Sequence, residues 1–456
     1  MTNPSHVRRA RGGLRLLAVA LCVVAGCGSG DGKTQGTDGS VIPDGSSACP
    51  GGGASGTLSV KIHGAPTTGV VVTVTGAAQA DQSLMADMDL SAPAGPYTVK
   101  AARVAPAAAV VRTAYEPAID SPAPCVHPGQ TTTVIVTYTA IASSHRLWVG
   151  NSPGAATLLG FDPAGLGASG APAAAVGADT QGSSGFTFDK AGNAWVLGGT
   201  SADAPLARYP AATFAASGAK TPDVTIDSAS FGDAVPGPRV VAFDDAGNLW
   251  VSVVAADKIV RFTPEQIARS GSPTAAVEIG GVSAPTGLAF DAGGNLFVAS
   301  SGDGKIVRFD KARLAASTAA PSLVLTAMTP APVIGPLSTP TGLAFDGAGN
   351  LWVTYDGPIV RLTPTDLAGA GGKTVTPAVQ INPDVLALTE GLAFDEAGGL
   401  WVASSMGKFV RLGPTQLAAS GNVTPATVIS SPDVGYASWF ALYPAPAATP
   451  LAHRLP

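Results

Sequence analysis

Histidine is almost missing from this chain of 456 residues. It has five, and between residues 142 and 446 only His145 is present. A Ser-His-Asp triad or a histidine-rich metal centre therefore has nothing to be built from in that stretch. Charge is scarce as well, at 12% Asp, Glu, Lys and Arg. There are four cysteines and no C-x-x-C, which leaves zinc-ribbon and thioredoxin-like readings unsupported. What is abundant is Gly (57), Pro (38) and apolar residues (46%), a mixture that suits many short strands joined by turns rather than long helices or disorder.

The N-terminus reads as an address. Arg8, Arg9, Arg11 and Arg15 precede the apolar run Leu14–Val24, which falls well short of the roughly 20 residues that span a bilayer and suits a secretory signal. The run ends in Val24-Ala25-Gly26-Cys27, which resembles the bacterial lipobox. That resemblance implies cleavage after residue 26 and acylation of Cys27, with enough lipid chains for stable anchoring to a membrane. It also implies a place in the bacterial cell envelope, facing periplasm or exterior. The outer membrane is favoured, because residue 28 is Gly and not the Asp that retains enterobacterial lipoproteins inside.

Cleavage would remove four Arg and no acid, taking the net charge four units below the −5 of the whole chain. Nucleic acid is therefore not an expected partner, since phosphate binding needs a basic face. Cys22 falls in the signal and Cys27 carries lipid, so Cys49 and Cys125 remain, and an oxidising compartment predicts a disulfide between them. The Gly/Ser-rich stretch 27–54 reads as a flexible tether and 447–456 as a tail. A monomer is expected.

Residues 55–141 predict a small β-sandwich. Leu58–Ile62, Val70–Val74, Tyr97–Ala101, Val110–Ala114 and Thr131–Tyr138 are β-branched runs punctuated by Gly and Pro. Ala94-Gly95-Pro96-Tyr97-Thr98-Val99 resembles the G-x-Y-x-V strand of carboxypeptidase-regulatory and transthyretin-like modules, which implies a stalk or spacer.

From residue 142 to 446 one phrase recurs. Phe188-Asp189, Phe243-Asp244, Phe290-Asp291, Phe345-Asp346 and Phe394-Asp395 each lead through a Gly-containing turn to an aromatic followed by Val, at steps of 55, 47, 55 and 49. In Thr286-Gly-Leu-Ala-Phe-Asp291 small residues alternate with large ones, as crowding about an axis requires. The Asp-to-Asn295 turn predicts a hairpin, and Leu296–Ser300, Lys305–Phe309 and Leu323–Thr326 supply three further strands. Four antiparallel strands per repeat predict the blade of a β-propeller. Between third and fourth strands, phrases such as Thr263-Pro-Glu-Gln-Ile267 and Thr363-Pro-Thr-Asp-Leu367 predict a short capped helix ending near Gly271 or Gly421.

The ends of the array complement each other. His145–Val149 and Leu158–Phe161 match second and third strands with no first strand ahead, whereas Ser438–Tyr443 matches a first strand with nothing behind it. The reading is therefore an all-β chain: a six-bladed β-propeller with 1+3 closure, which would also remove exposed sheet edges. The phrase P-T-G-L-A-F-D-x-x-G-N-L-W-V resembles the NHL-repeat propellers and, more distantly, gluconolactonase-like calcium propellers and streptogramin lyases. It departs from NHL repeats where Ala-Ser or Thr-Tyr follows the aromatic strand. The catalytic His that the lyases need has no counterpart.

The five hairpin aspartates read as turn caps rather than a metal ring. Gly150-Asn-Ser-Pro-Gly154 matches G-x-S-x-G but follows a strand with no helix after it, and Gly371-Gly-Lys-Thr374 lacks the leading Gly of a P-loop. Candidate ligand-binding residues lie in the loops of the opposite rim: Glu390, Asp384, Asp433, Tyr436, Asp303 and Asp356, with Asp233, Asp257 and Tyr355 behind them. Glu390-Gly391 resembles the Glu-Gly of gluconolactonase-like enzymes, which implies a Ca²⁺ ligand, although that family's Asn ligands are not recognisable. The equivalent positions in other repeats are Ser184, Arg239, Thr286 and Thr341. The preferred expectation is a lipid-anchored envelope protein, without a cofactor, that presents loops to a protein, peptide or glycan. The alternative is a Ca²⁺-dependent, lactonase-like hydrolase or lyase.

Overall fold

The computed structural model describes Cys49 and residues 53–447, apart from 77–78, 153–156, 181, 183–184, 199–205, 233–235, 319, 328–336, 387 and 405. Cys27, the signal and most of the tether lie outside the described residues, as does Asp233. Nearly every regular element is a strand, in eight sheets.

Two sheets come from the N-terminal part. Met88–Pro93, Ser55–His63, Thr131–Ala140 and Tyr115–Ile119 form one; Gln79–Leu84, Val72–Gly76, Gly95–Ala101 and Cys125–Val126 form the other. Period-two alternation aims Leu58, Val60, Val134 and Val136 from the first sheet, and Val72, Val74, Tyr97 and Val99 from the second, into one shared core. Cys49 and Cys125 are joined, with sulfurs 2.01 Å apart.

Val110–Ala114 is not the strand its composition suggests. It is an extended segment laid against the following sheets. Val111 is buried in the core between the first and last of those sheets, and Ala114 in the core between the first and second. The Val110 carbonyl accepts from Glu396 N, and Arg112 Nε lies 3.3 Å from the Glu396 carboxylate, the two side chains being 11% and 7% exposed. Its apolar residues serve contact with other sheets, not pairing within its own.

Six sheets follow, numbered I to VI along the chain. Sheet II is Phe186–Phe188, Ala194–Leu197, Leu206–Tyr209 and Val224–Ile226; sheet III is Pro238–Phe243, Leu249–Val253, Lys258–Phe262 and Val277–Ile279. Sheet IV is Pro285–Phe290, Leu296–Ser300, Lys305–Phe309 and Leu323–Ala327; sheet V is Leu343–Phe345, Leu351–Thr354, Ile359–Leu362 and Val379–Pro383. Sheet VI is Thr389–Phe394, Leu400–Ser404, Lys408–Leu412 and Thr427–Ile429. Sheet I is assembled from both ends: Ala437–Tyr443 pairs antiparallel with Arg146–Asn151, followed by Leu158–Phe161 and Val176–Asp179. Each first strand touches the next, and Ala437–Tyr443 touches Phe186–Phe188, so the first strands form a closed cycle of the β-propeller type.

Crowding about the axis accounts for the small residues in the repeat. A Cβ on Gly342 would come within 2.3 Å of the Glu390 carbonyl, and one on Gly391 within 2.5 Å of the Ser438 carbonyl. The aromatic pairs across neighbouring sheets, such as Trp250–Phe290 and Trp352–Phe394, are edge-on at about 6 Å, a favoured geometry.

The hairpin aspartates cap turns and also do more. Asp244 Oδ1 accepts from Ala246 N and Asn248 N, while Oδ2 accepts from Asn248 Nδ2 and from the indole of Trp250. Asp189 and Asp346 repeat that set, so the carboxylate locks the turn to the buried aromatic two strand positions on. Sheet VI has Gly399 in place of the Asn, and there the Arg411 guanidinium binds Asp395 instead. A Cβ on Gly399 would lie 2.4 Å from that guanidinium.

Two expectations change. The rim elements are single turns, not uniform capped helices. Only Pro163–Leu166 and Pro364–Leu367 are α-helical; Thr363 closes a capping box with Asp366, but Asp162 makes no side-chain cap. Second, ring closure alone does not cover the outer edges. Beyond each turn the chain lays a short parallel segment on the outer strand of the preceding sheet: Gly218–Ala219 on sheet I, Gly371–Val375 on sheet IV, Gly421–Val423 on sheet V, with single bridges elsewhere from Gly271, Thr318 and Gly170. The Gly read as a helix end starts this edge cover. A preceding Ser fastens it, as when Ser270 Oγ accepts from Thr225 N and Ser169 Oγ from Val428 N.

Candidate functional site at the mouth of the ring

The two rims of the ring are built differently. At one, first strands end in the aspartate hairpins. At the other, which we call the mouth, several first strands begin with a β-bulge: between Pro238 and Val240, Pro285 and Gly287, Thr389 and Leu392, and Ala437 and Phe440. Bulges re-aim side chains. Here they fall at Arg239, Thr286 and Glu390.

Buried hydroxyls hold these irregular starts in place. Thr354 Oγ1 accepts from Gly342 N and donates to the Glu390 carbonyl at 2.6 Å, and Thr389 Oγ1 donates to the Tyr355 carbonyl at 2.6 Å. In sheets III, IV and V the Ser or Thr after the aromatic (Ser252, Ser300 and Thr354), which departs from NHL repeats, thus has a structural task.

Arg239 and Glu390 belong to sheets III and VI, three steps apart in either direction round the cycle. Even so, Arg239 Nη2 lies 3.7 Å from Glu390 Oε2, so the pair reaches across the mouth. That separation is an ion pair beyond hydrogen-bond reach, and Oε2 is buried with no hydrogen-bond partner, as is Arg239 Nε. The other oxygen, Oε1, accepts from the Tyr436 hydroxyl. The Glu390 side chain is 13% exposed.

Burial pushes the Glu390 carboxyl above the ordinary glutamate range. The Tyr436 hydrogen bond and the Arg239 charge oppose that shift, and the Asp356 charge adds to it. Burial, and then the bond and charge of Glu390, push the Tyr436 phenol well above its usual range. Tyr436 is positioned by Asn151, whose Oδ1 accepts from Gly435 N and Tyr436 N and whose Nδ2 donates to the Asp433 carbonyl. Within the ring, the first strands line an apolar cavity of about 140 Å³. Trp439 contributes to its wall, and its indole N–H is buried without a partner.

The sequence candidates separate on this geometry. Glu390 and Tyr436 are in contact, and Asp356 is near enough to raise the Glu390 carboxyl. Asp303 is exposed and paired with Lys305 at 2.9 Å. Asp384 is exposed at the outer edge of sheet V and accepts from Thr424 Oγ1. Asp433 accepts from Ala174 N, and Asp257 from Ala284 N, so both serve the backbone. Tyr355 is fully buried, its hydroxyl without a hydrogen-bond partner, inside the core shared by sheets IV and V. Arg239 and Asn151 were not on the candidate list. Arg239 was legible only as the residue standing where Glu390 stands in another repeat, and Asn151 only as the polar end of a strand.

The donor set does not fit Ca²⁺. Glu390 shares its pocket with a guanidinium and a phenol, whereas calcium takes six to eight oxygens, commonly from several carboxylates or carbonyls. Among the described residues no three His, Cys, Asp or Glu side chains gather as a metal site. What the arrangement offers is one buried carboxylate oxygen, one guanidinium and one phenol, all facing the mouth.

No protein-family model matches the chain, and no curated protein is significantly similar to it. Among solved structures, a streptogramin B lyase shares 17% identity at a TM-score of 0.36, over 51% of this chain and 65% of that one. A virginiamycin B lyase from Staphylococcus aureus shares 18% at 0.36, over 51% and 66%. A protein of unknown function from Bacteroides caccae shares 12% at 0.43, over 65% and 97%. The chain thus spans slightly less than two thirds of the lyases it matches.

Proposed function

We propose that this chain is a lipid-anchored binding protein of the cell envelope, a six-bladed β-propeller with 1+3 closure carried on a β-sandwich stalk, and that its mouth receives a polar peptide or glycan. The observation that carries the binding role is the Arg239–Glu390–Tyr436 cluster. Two bulged strands from opposite sides of the ring bring a cation and a buried carboxylate together, and a loop held by Asn151 adds a phenol. Buried polar atoms left without partners are costly unless something else pairs with them. A ligand amide or hydroxyl group donating to Glu390 Oε2 would relieve that cost, and Arg239 would donate to a carbonyl or carboxylate beside it.

The stalk contacts the hairpin rim through Arg112 and Glu396, so the mouth is on the rim away from it. A lipid at Cys27 would then tether the protein by its stalk, as the lipobox resemblance suggests. The test of binding is a titration with muropeptides and short peptides followed by tryptophan fluorescence. A ligand of this site should lose about tenfold or more in affinity in R239A and Y436F, a change of about 1.4 kcal/mol or more. A ligand that binds all variants equally would count against the mouth. For the anchor, C27A should leave the membrane fraction; a C27A chain that stays with membranes would defeat that part.

A further inference from the structure

Large apolar side chains are exposed at one place in the ring. Outside residues 55–140, the described residues expose three of them: Val385, Leu388 (54% exposed) and Met406 (68%). All three lie in mouth loops that frame sheet VI. Val385 and Leu388 are in the loop that leads from the last strand of sheet V to Thr389, and Met406 is in the turn between Leu400–Ser404 and Lys408–Leu412. Because Thr389 pairs with Ser404, Leu388 and the Met406 turn fall at the same strand ends. Gly407 packs this turn against the loop of Tyr436, since a Cβ on it would lie 3.0 Å from the Val434 and Gly435 carbonyls. Leu388 also has a left-handed backbone, with φ of 54°. That conformation costs a residue with a side chain about 1–2 kcal/mol, and an exposed leucine recovers none of it in the core. Contiguous apolar exposure of this kind marks an interaction site.

The same sector is negatively charged. Thr389 Oγ1 holds the Tyr355 carbonyl at 2.6 Å, which brings the Asp356 turn of sheet V to the start of the Glu390 strand. The charges that reach Glu390 are Arg239, which attracts it, and Asp356, which repels it. Arg239 and Glu390 offset each other. Asp356 is exposed and has no ion pair or hydrogen bond among the described residues. Two carboxylates therefore share one guanidinium, and one negative charge is left over beside the apolar lip of Leu388 and Met406.

We propose that the mouth takes the free N-terminus of a peptide whose first residue is large and apolar. The ammonium sits at Asp356 and Glu390, the first side chain lies on Leu388 and Met406, and the first carbonyl faces the Arg239 guanidinium, whose side chain is 35% exposed. This rests on the mouth being the binding site and narrows what it admits. A peptide's carboxylate end fits less well, because it would meet Asp356 as a like charge.

Calorimetry of the full-length chain tests this with Leu-Gly-Gly amide, its N-acetylated form and Gly-Gly-Gly amide, none of which carries a carboxylate. Saturable one-to-one binding of the leucyl amide is expected, with a loss of about tenfold or more on acetylation. Replacing its Leu by Gly should cost about tenfold, as burial of half a leucine side chain would give. D356K should weaken the leucyl amide about tenfold and leave the acetylated form unchanged. The double variant L388S/M406S should weaken the leucyl amide about tenfold and leave the glycyl amide unchanged. Both variants alter exposed side chains, so the fold is kept. No saturable binding of the leucyl amide up to millimolar concentration, or binding that acetylation and these variants leave unchanged, would overturn the proposal. Acetylated and free peptides that bind equally, and are both lost in R239A and Y436F, would overturn it while the mouth stands. Binding of the free peptide that R239A and Y436F leave untouched would instead remove the mouth itself.

Discussion

The hairpin rim and the mouth are made from the same strands, yet they solve opposite problems. At the hairpin rim the same bonds recur from sheet to sheet: aspartate to turn, amide and indole in sheets II, III and V, and third-strand arginine to a rim-turn carbonyl of the next sheet in sheets III, IV and V. Even so, Nε of Arg112, Arg261 and Arg361 is buried there without a hydrogen-bond partner. The segment Arg103–Ala114 then covers part of this rim, with Arg103 donating to the Lys190 carbonyl and Arg112 to that of Ala445. At the mouth the strands bulge, and polar atoms of Glu390 and Arg239 are buried without hydrogen bonds. The repeated rim is where the fold is held together, and the irregular rim is where local order is given up. Such exchanges of stability for an unsatisfied arrangement are typical of functional sites.

The contrast can be tested in order of expected effect. R112A should cost the most. It leaves the Glu396 carboxylate, 7% exposed, without its cation, a loss of about 3–5 kcal/mol that denaturant unfolding would read as a lower midpoint. A drop below about 1 kcal/mol would mean that the Arg103–Ala114 segment is not integral to the ring.

The second test reverses a rule of the repeat. Asn follows the hairpin glycine in sheets II to V, so G399N restores the consensus, but its Cβ collides with the Arg411 guanidinium. We expect G399N to destabilise by about 1–2 kcal/mol. In an R411A background the same change should instead stabilise by about 1 kcal/mol, because Asn can then bond Asp395 as Asn350 bonds Asp346. Equal effects in both backgrounds would break the account of the hairpin rim.

The smallest effect belongs to the mouth. Glu390 has its carboxyl raised in the folded protein, so the native state favours the protonated form. Its contribution to stability is full below the ordinary glutamate value of 4.5 and is lost as pH rises through the raised folded value. E390Q should therefore match the wild type in acid and become the more stable protein as pH rises above 4.5. Parallel stability–pH curves for the two proteins would show that the mouth is not strained.

The Phe-Asp phrase made the sheets legible, because one hairpin copied five times leaves the same residues at the same offsets. The split sheet I was legible from the two incomplete ends. The edge cover was also written in the sequence, as Ser169-Gly170, Ser217-Gly218, Ser270-Gly271 and Ser420-Gly421, but a Gly after a turn reads more readily as a helix end. Val110–Ala114 misled because β-branched residues report burial, not pairing. The Arg239–Glu390 contact left no local trace at all. It joins residues 151 positions apart on opposite strands, and only ring closure brings them together.

Sheet I has a further consequence for how such a chain is made. Its inner strand, Ala437–Tyr443, is made after the other described strands of the ring, and its partner Arg146–Asn151 is made before them. Until the final strand arrives, the bonding edge of Arg146–Asn151 is bare and five finished sheets wait beside an unfilled place. A chain that stopped before Ala437 would leave that seam open, so proteases could tell it from the closed ring by its seam alone.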